Sequence, residues 1–110
     1  MNHNHRFLTV SDIPEKEIVK GFFGRMIHAE SVTVAHFFIE KGSVLPEHQH
    51  VHEQVTNVLE GELELTVGGE THVCRAGEVA VIPSHVPHSG RALTDCRVLD
   101  VFQPVREDYR

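Results

Sequence analysis

The chain has 110 residues, 40% of them hydrophobic and 24% charged, with a formal net charge of −6 and ten histidines. That length supports one core rather than two, and the hydrophobic share is too high for a disordered segment. There is no apolar run long enough to cross a bilayer, no basic patch suited to nucleic acid, and residues 1–6 are too polar for a secretory signal. Residues 1–23 are expected to form an N-terminal segment with little regular structure. Its Asn2-His3-Asn4-His5 start should fray, and Ser11 or Asp12 could cap a short helical turn. From Gly24 the texture changes to β-branched and aromatic residues, and residues 24–110 read as one all-β domain. Strands are expected over 25–28, 31–40, 55–60, 62–67, 70–74, 78–82 and 97–102. Within 62–67, Leu63, Leu65 and Val67 share one face, and Gly68-Gly69 supplies the positive φ of a two-residue hairpin turn. Short strands separated by Gly and Pro point to a sandwich or barrel.

Two cysteines, Cys74 and Cys96, lie in apolar stretches with no Cys-x-x-Cys spacing. They read as buried free thiols, which suits a reducing, cytoplasmic setting. The ten histidines raise metal binding as a question that position must answer. His48 and His50 are two residues apart, so an extended chain aims both imidazoles at one point. A third ligand must come from a neighbouring strand, and His88 is available. His52 has the same parity, but the chain after His50 need not stay extended; it reads as lining the mouth. His85 reads as loop surface, and His3, His5, His28, His36 and His72 as surface or barrel wall.

These residues sit in two spaced segments. Gly42, His48, His50, Gln54 and Gly61 fit Gly-x5-His-x-His-x3-Glu-x6-Gly, with Gln54 in place of Glu. Gly77, Pro83 and His88 fit Gly-x5-Pro-x-Gly-x2-His-x3-Asn, with His85 in place of Gly and Ala92 in place of Asn. The pair resembles the motifs of the cupin family. That resemblance implies a conical β-barrel of two packed antiparallel sheets with one divalent transition metal per chain inside it. Carried over by position, His48, His50, Gln54 and His88 would hold the metal, which could be Mn, Fe, Co, Ni or Zn. Gln54 brings no charge where Glu would bring one. The ion's full charge would remain, favouring an anionic substrate and stronger Lewis acidity.

The last strand puts Val98, Asp100 and Phe102 on one face. A carboxylate there is costly unless paired or used. Arg106 offers a planar fork for a carboxylate. An Asp100–Arg106 ion pair and a solvent-facing Asp100 are both open readings. The tail from Asp100 to Tyr109, taken with the histidines, resembles the KdgF group of small cupins of pectin and alginate breakdown. That resemblance implies opening of the ring of 4,5-unsaturated monouronates to 5-keto-4-deoxyuronate, with Asp100 and Arg106 catalytic and Phe102 and Arg106 against a small sugar-acid substrate. Another cupin metalloenzyme, such as a dioxygenase or sugar isomerase, and a non-catalytic module for small acids are the alternatives. By analogy with small cupins, the apolar 25–28 and 31–40 region should pair two chains as a homodimer.

Overall fold

A computed structural model describes residues 5–110. Ten strands run in chain order: β1 (Lys16–Val19), β2 (Phe22–His28), β3 (Thr33–Ile39), β4 (Val44–His48), β5 (Glu53–Glu60), β6 (Glu62–Val67), β7 (Glu70–Arg75), β8 (Val79–Ile82), β9 (His88–Ala92) and β10 (Cys96–Gln103). Short 3-10 turns at Val10–Asp12 and Glu107–Tyr109 are the only helical elements among the described residues. None of the described residues forms a helix long and apolar enough to cross a membrane.

The strands make a six-stranded sheet ordered β1-β2-β3-β10-β5-β8 and a four-stranded sheet ordered β4-β9-β6-β7. Every pairing is antiparallel. Each sheet buries one face, so alternation decides what points inward. In β3 the inward residues are Thr33, Ala35, Phe37 and Ile39; in β10 they are Cys96, Val98, Asp100 and Phe102. Leu63 and Leu65 of β6 close on them from the other sheet, giving one shared core. Gly61 (φ +90°) turns the chain from the larger sheet into the smaller one, where a Cβ would collide with the Asp95 carbonyl. Cys74 and Cys96 are both free and buried.

The expected strands after Gly24 all form, with no end moved by more than three residues. The N-terminal reading needs correction. β1 and the start of β2 lie before Gly24, where little regular structure was expected, and they join the six-stranded sheet. The signal was weak because β1 is an edge strand whose outward residues are charged, as edges commonly are. The helical turn lies at Val10–Asp12 with Thr9 before it, so Ser11 and Asp12 fall inside the turn instead of capping it. Strands β4 and β9 were also not anticipated as such. His3 and the rest of residues 1–4 lie outside the described residues.

Candidate metal centre and substrate cavity

His48 closes β4 and His88 opens β9, and the two are register partners across that strand pair. A shift in register between Leu45 and His48 re-aims the end of β4. His50 follows on the segment before β5. One nitrogen from each of His48, His50 and His88 lies within 4.8 Å of the others, a group able to hold a metal ion.

The imidazoles share one orienting device. Nδ1 of His48 donates to the Pro46 carbonyl, that of His50 to the His52 carbonyl and that of His88 to the Val86 carbonyl, each at 2.9 Å. A carbonyl only accepts, so each Nδ1 carries the proton and each Nε2 keeps its lone pair. Those lone pairs are what a metal needs. Nε2 of His88 is buried with no hydrogen-bond partner. Nε2 of His50 faces Gln54 Oε1 at 3.1 Å, so two acceptors confront each other. Burial, then the Arg106 charge, pushes His50 down to about 4, so no proton relieves the contact near neutral pH. A cation between them would. Two atoms each about 2.1 Å from an ion and at right angles lie about 3.0 Å apart. The residues present therefore fit a divalent metal, with Gln54 Oε1 able to join the three histidines.

Two loops hold this group in place. The His85 N–H donates to the His50 carbonyl at 2.8 Å, and Ser84 Oγ donates to the Val51 carbonyl at 2.6 Å. His85 has φ +63° and is the one described non-glycine residue in the left-handed region. It stands at the motif position where glycine is usual, which explains that glycine physically. Its side chain is exposed. His52 supplies its carbonyl to His50, but its ring stays outside the three-histidine group.

A cavity between the sheets meets this group. Its polar wall is His48, Gln54, Thr56, His88, Asp100 and Arg106; Phe102 and Tyr109 add aromatic surface. Asp100 is buried opposite Thr56 in register, and Oδ1 has no hydrogen-bond partner. Burial raises its pKa to about 6, against the pull of hydrogen bonds from Thr56 and Gln54 and of the Arg106 charge. Asp100 thus does not face solvent.

Nor is Arg106 its ion-pair partner. Arg106 Nε and Nη2 donate to the two carboxylate oxygens of Asp108 at 3.0 and 2.7 Å. The guanidinium is packed between rings, 3.9 Å from the Tyr109 centroid and 4.7 Å from that of Phe102. Burial pushes its pKa down, and Asp108, Tyr109 and Asp100 more than offset this. The Nη1 end is not used by Asp108. The Arg106 backbone N–H donates to Thr33 Oγ1 at 2.9 Å, anchoring the tail to β3.

The structure thus gathers all seven residues singled out from the sequence. Reading the sequence missed Thr56 and Tyr109. Thr56 was findable, since period two puts it on the face of Gln54; Tyr109 is the only tyrosine in the chain. Ile18, Val19 and Phe22 also line the cavity, so β1 and β2 wall the site.

The cupin domain family matches residues 35–102. The chain belongs to the cupin family. It is a small single-domain cupin similar to KdgF proteins. The pectin degradation protein KdgF of Dickeya dadantii (strain 3937) is 24% identical over 107 residues, which cover 94% of this chain and 97% of that protein. The solved structure of KdgF from Halomonas sp. superposes with a TM-score of 0.90 at 26% identity, covering 97% of this chain and 100% of the other. Quercetin 2,3-dioxygenase of Bacillus subtilis (strain 168) is 45% identical over 53 residues, 46% of this cupin, which spans only 15% of that enzyme.

Proposed function

We propose that this cupin opens the ring of 4,5-unsaturated monouronates to give 5-keto-4-deoxyuronate, with His48, His50, His88 and Gln54 holding one divalent metal. The observation that carries the reading is one cavity that brings together the edge of the three-histidine group at His48 and His88, a buried carboxylate with a raised pKa, and a ring-packed arginine. The similarity to KdgF proteins supports the substrate class.

The reaction is a proton transfer around a ring. Asp100 takes the proton of the anomeric hydroxyl, the bond between C1 and the ring oxygen breaks, and C1 becomes an aldehyde. The electrons pass to the ring oxygen, now an enol oxygen on C5. Returning the proton to C4 gives the C5 ketone, so no other reactant is needed. A pKa of about 6 suits a group that must both take and give that proton near neutrality. The bound metal would supply Lewis-acid polarisation of a substrate oxygen. Arg106 would hold the substrate carboxylate at its Nη1 end, because Asp108 occupies the other fork. Phe102 forms an apolar floor at 2% exposure.

The test is direct. Protein loaded with a divalent metal should speed the loss of the unsaturated uronate's ultraviolet absorbance; an unchanged rate overturns the reading. A dioxygenase is the second reading, favoured by the likeness to quercetin 2,3-dioxygenase. Oxygen uptake that requires iron would select it. We also propose a cytoplasmic homodimer, supported by two unpaired cysteines and by the half-buried outer residues Phe23, Ile27, Val34 and Phe38. A monomer at micromolar concentration in light scattering would refute the pairing.

A further inference from the structure

The two ends of a glutamine amide are nearly equal in shape and opposite in chemistry. Only the oxygen can ligate a cation; an NH2 group turned toward the histidines would repel it. Something must therefore set which end of Gln54 faces His50. In the structure Gln54 Nε2 donates to Thr56 Oγ1 at 2.9 Å, and Oε1 faces His50. A hydroxyl alone would not decide this, because it can donate or accept. Thr56 is not alone: it is Asp100's register partner, and the Asp100 carboxylate accepts from both Thr56 and Gln54. The hydrogen bond from Thr56 to Asp100 uses the Thr56 proton. The oxygen of Thr56 can then only accept, and Gln54 must offer its N–H. Thr56 is 2% exposed and Gln54 8%, so both lie in the low-dielectric interior, where this hydrogen bond is strong.

We propose that Thr56 is a positioning residue, which fixes the Gln54 amide with its oxygen toward His48, His50 and His88. The inference rests on the reading that this group holds a metal. It also links the two halves of the cavity: the Asp100 carboxylate, bonded to both Thr56 and Gln54, helps specify the ligand that Gln54 presents.

Titration of the metal-free protein with Co2+ alone, followed by calorimetry, tests this. Thr56→Val should weaken Co2+ binding about tenfold or more, in the range usual for partners of metal ligands, while Thr56→Ser stays within about threefold of wild type on the same grounds. In a Gln54→Ala background, where no amide remains to be oriented, Thr56→Val should change the affinity less than about twofold. Equal losses in both backgrounds would make Thr56 merely structural and overturn the inference. So would wild-type affinity in Thr56→Val with Gln54 intact. If Thr56→Val does not fold, Thr56→Cys, close in volume and a weak hydrogen-bonding group, carries the same comparison. Failure of the metal reading looks different: wild type would not bind Co2+, or His88→Ala would bind it equally well, and both ideas would fall together.

Discussion

The two walls of the cavity are anchored differently. On the histidine wall each ring is held by a carbonyl only two residues away: Pro46 for His48, His52 for His50 and Val86 for His88. On the tail wall the Arg106 side chain is also held locally, by Asp108 and Tyr109, but the backbone is tied down from a distance. Arg106 is anchored to Thr33, 73 positions away, and Lys16 Nζ reaches the Tyr109 carbonyl, 93 positions away. Local contacts set ring direction cheaply, because little chain entropy is lost in closing so short a loop. Distant ones depend on the whole barrel being formed. The histidine wall should therefore respond to substitutions ligand by ligand, and the tail wall as a unit.

The largest expected effect breaks the histidine wall alone. His88→Ala should weaken divalent-metal binding beyond the ~100-fold typical for losing a ligand's partner, measured by competition with a chelator, with Arg106 still seated between its rings. Asp100→Asn should do the reverse. Turnover of the unsaturated uronate should fall ~10²–10⁴-fold, while metal affinity falls only by the roughly tenfold that comes from losing the Gln54 orientation. The pH dependence sharpens this. With Asp100 as the base, wild-type kcat/KM should rise through about pH 6, and that inflection should vanish in Asp100→Asn. Stability runs the other way. The folded pKa is raised, so the native state binds the extra proton between about pH 4 and 6. The contribution present at low pH is lost as pH rises through about 6. Metal-free wild type should accordingly lose on the order of 2–3 kcal/mol relative to Asp100→Asn across that window, as read by denaturant melts.

A smaller effect tests the tail as a unit. Tyr109→Ala removes one ring from the Arg106 guanidinium and should raise KM about tenfold with a lesser change in kcat, since a desolvated cation–π contact is worth up to ~2 kcal/mol. An unchanged KM would show that Phe102 and Asp108 suffice. The smallest concerns the loop that ties His50. His85→Gly relieves a left-handed backbone and should raise stability by a few tenths to about 1 kcal/mol, the strain relieved being partly offset by glycine's greater freedom in the unfolded chain. A clear loss of stability would mean that the exposed imidazole has a partner of its own.

The same contrast governs what the sequence made legible. The histidine wall is visible because parity and two-residue spacing survive in the primary structure, and Gln54 stands out by replacing an acid. Alternation likewise displays the inward faces of β6 and β10. Arg106 and Asp100 were visible as residue types, but not their partners. That Arg106 pairs with Asp108, and that Thr56 stands between Gln54 and Asp100, depends on strand register and on the tail folding back, neither of which the order of residues reveals. β1 escaped notice for a related reason: Ile18 and Val19 gain meaning only when β2 pairs with them over the cavity.

The candidate ligands also straddle the architecture. His48 and His88 belong to the four-stranded sheet, Gln54 to the six-stranded one, and His50 to the segment joining them. An ion held by all four would be a rivet between the two sheets. It would draw folding stability from its own concentration, about 2.7 kcal/mol when free metal stands at 100 times Kd. The melting temperature of this barrel would then serve as a gauge of metal supply, and a chelator would loosen the sandwich along with emptying the site.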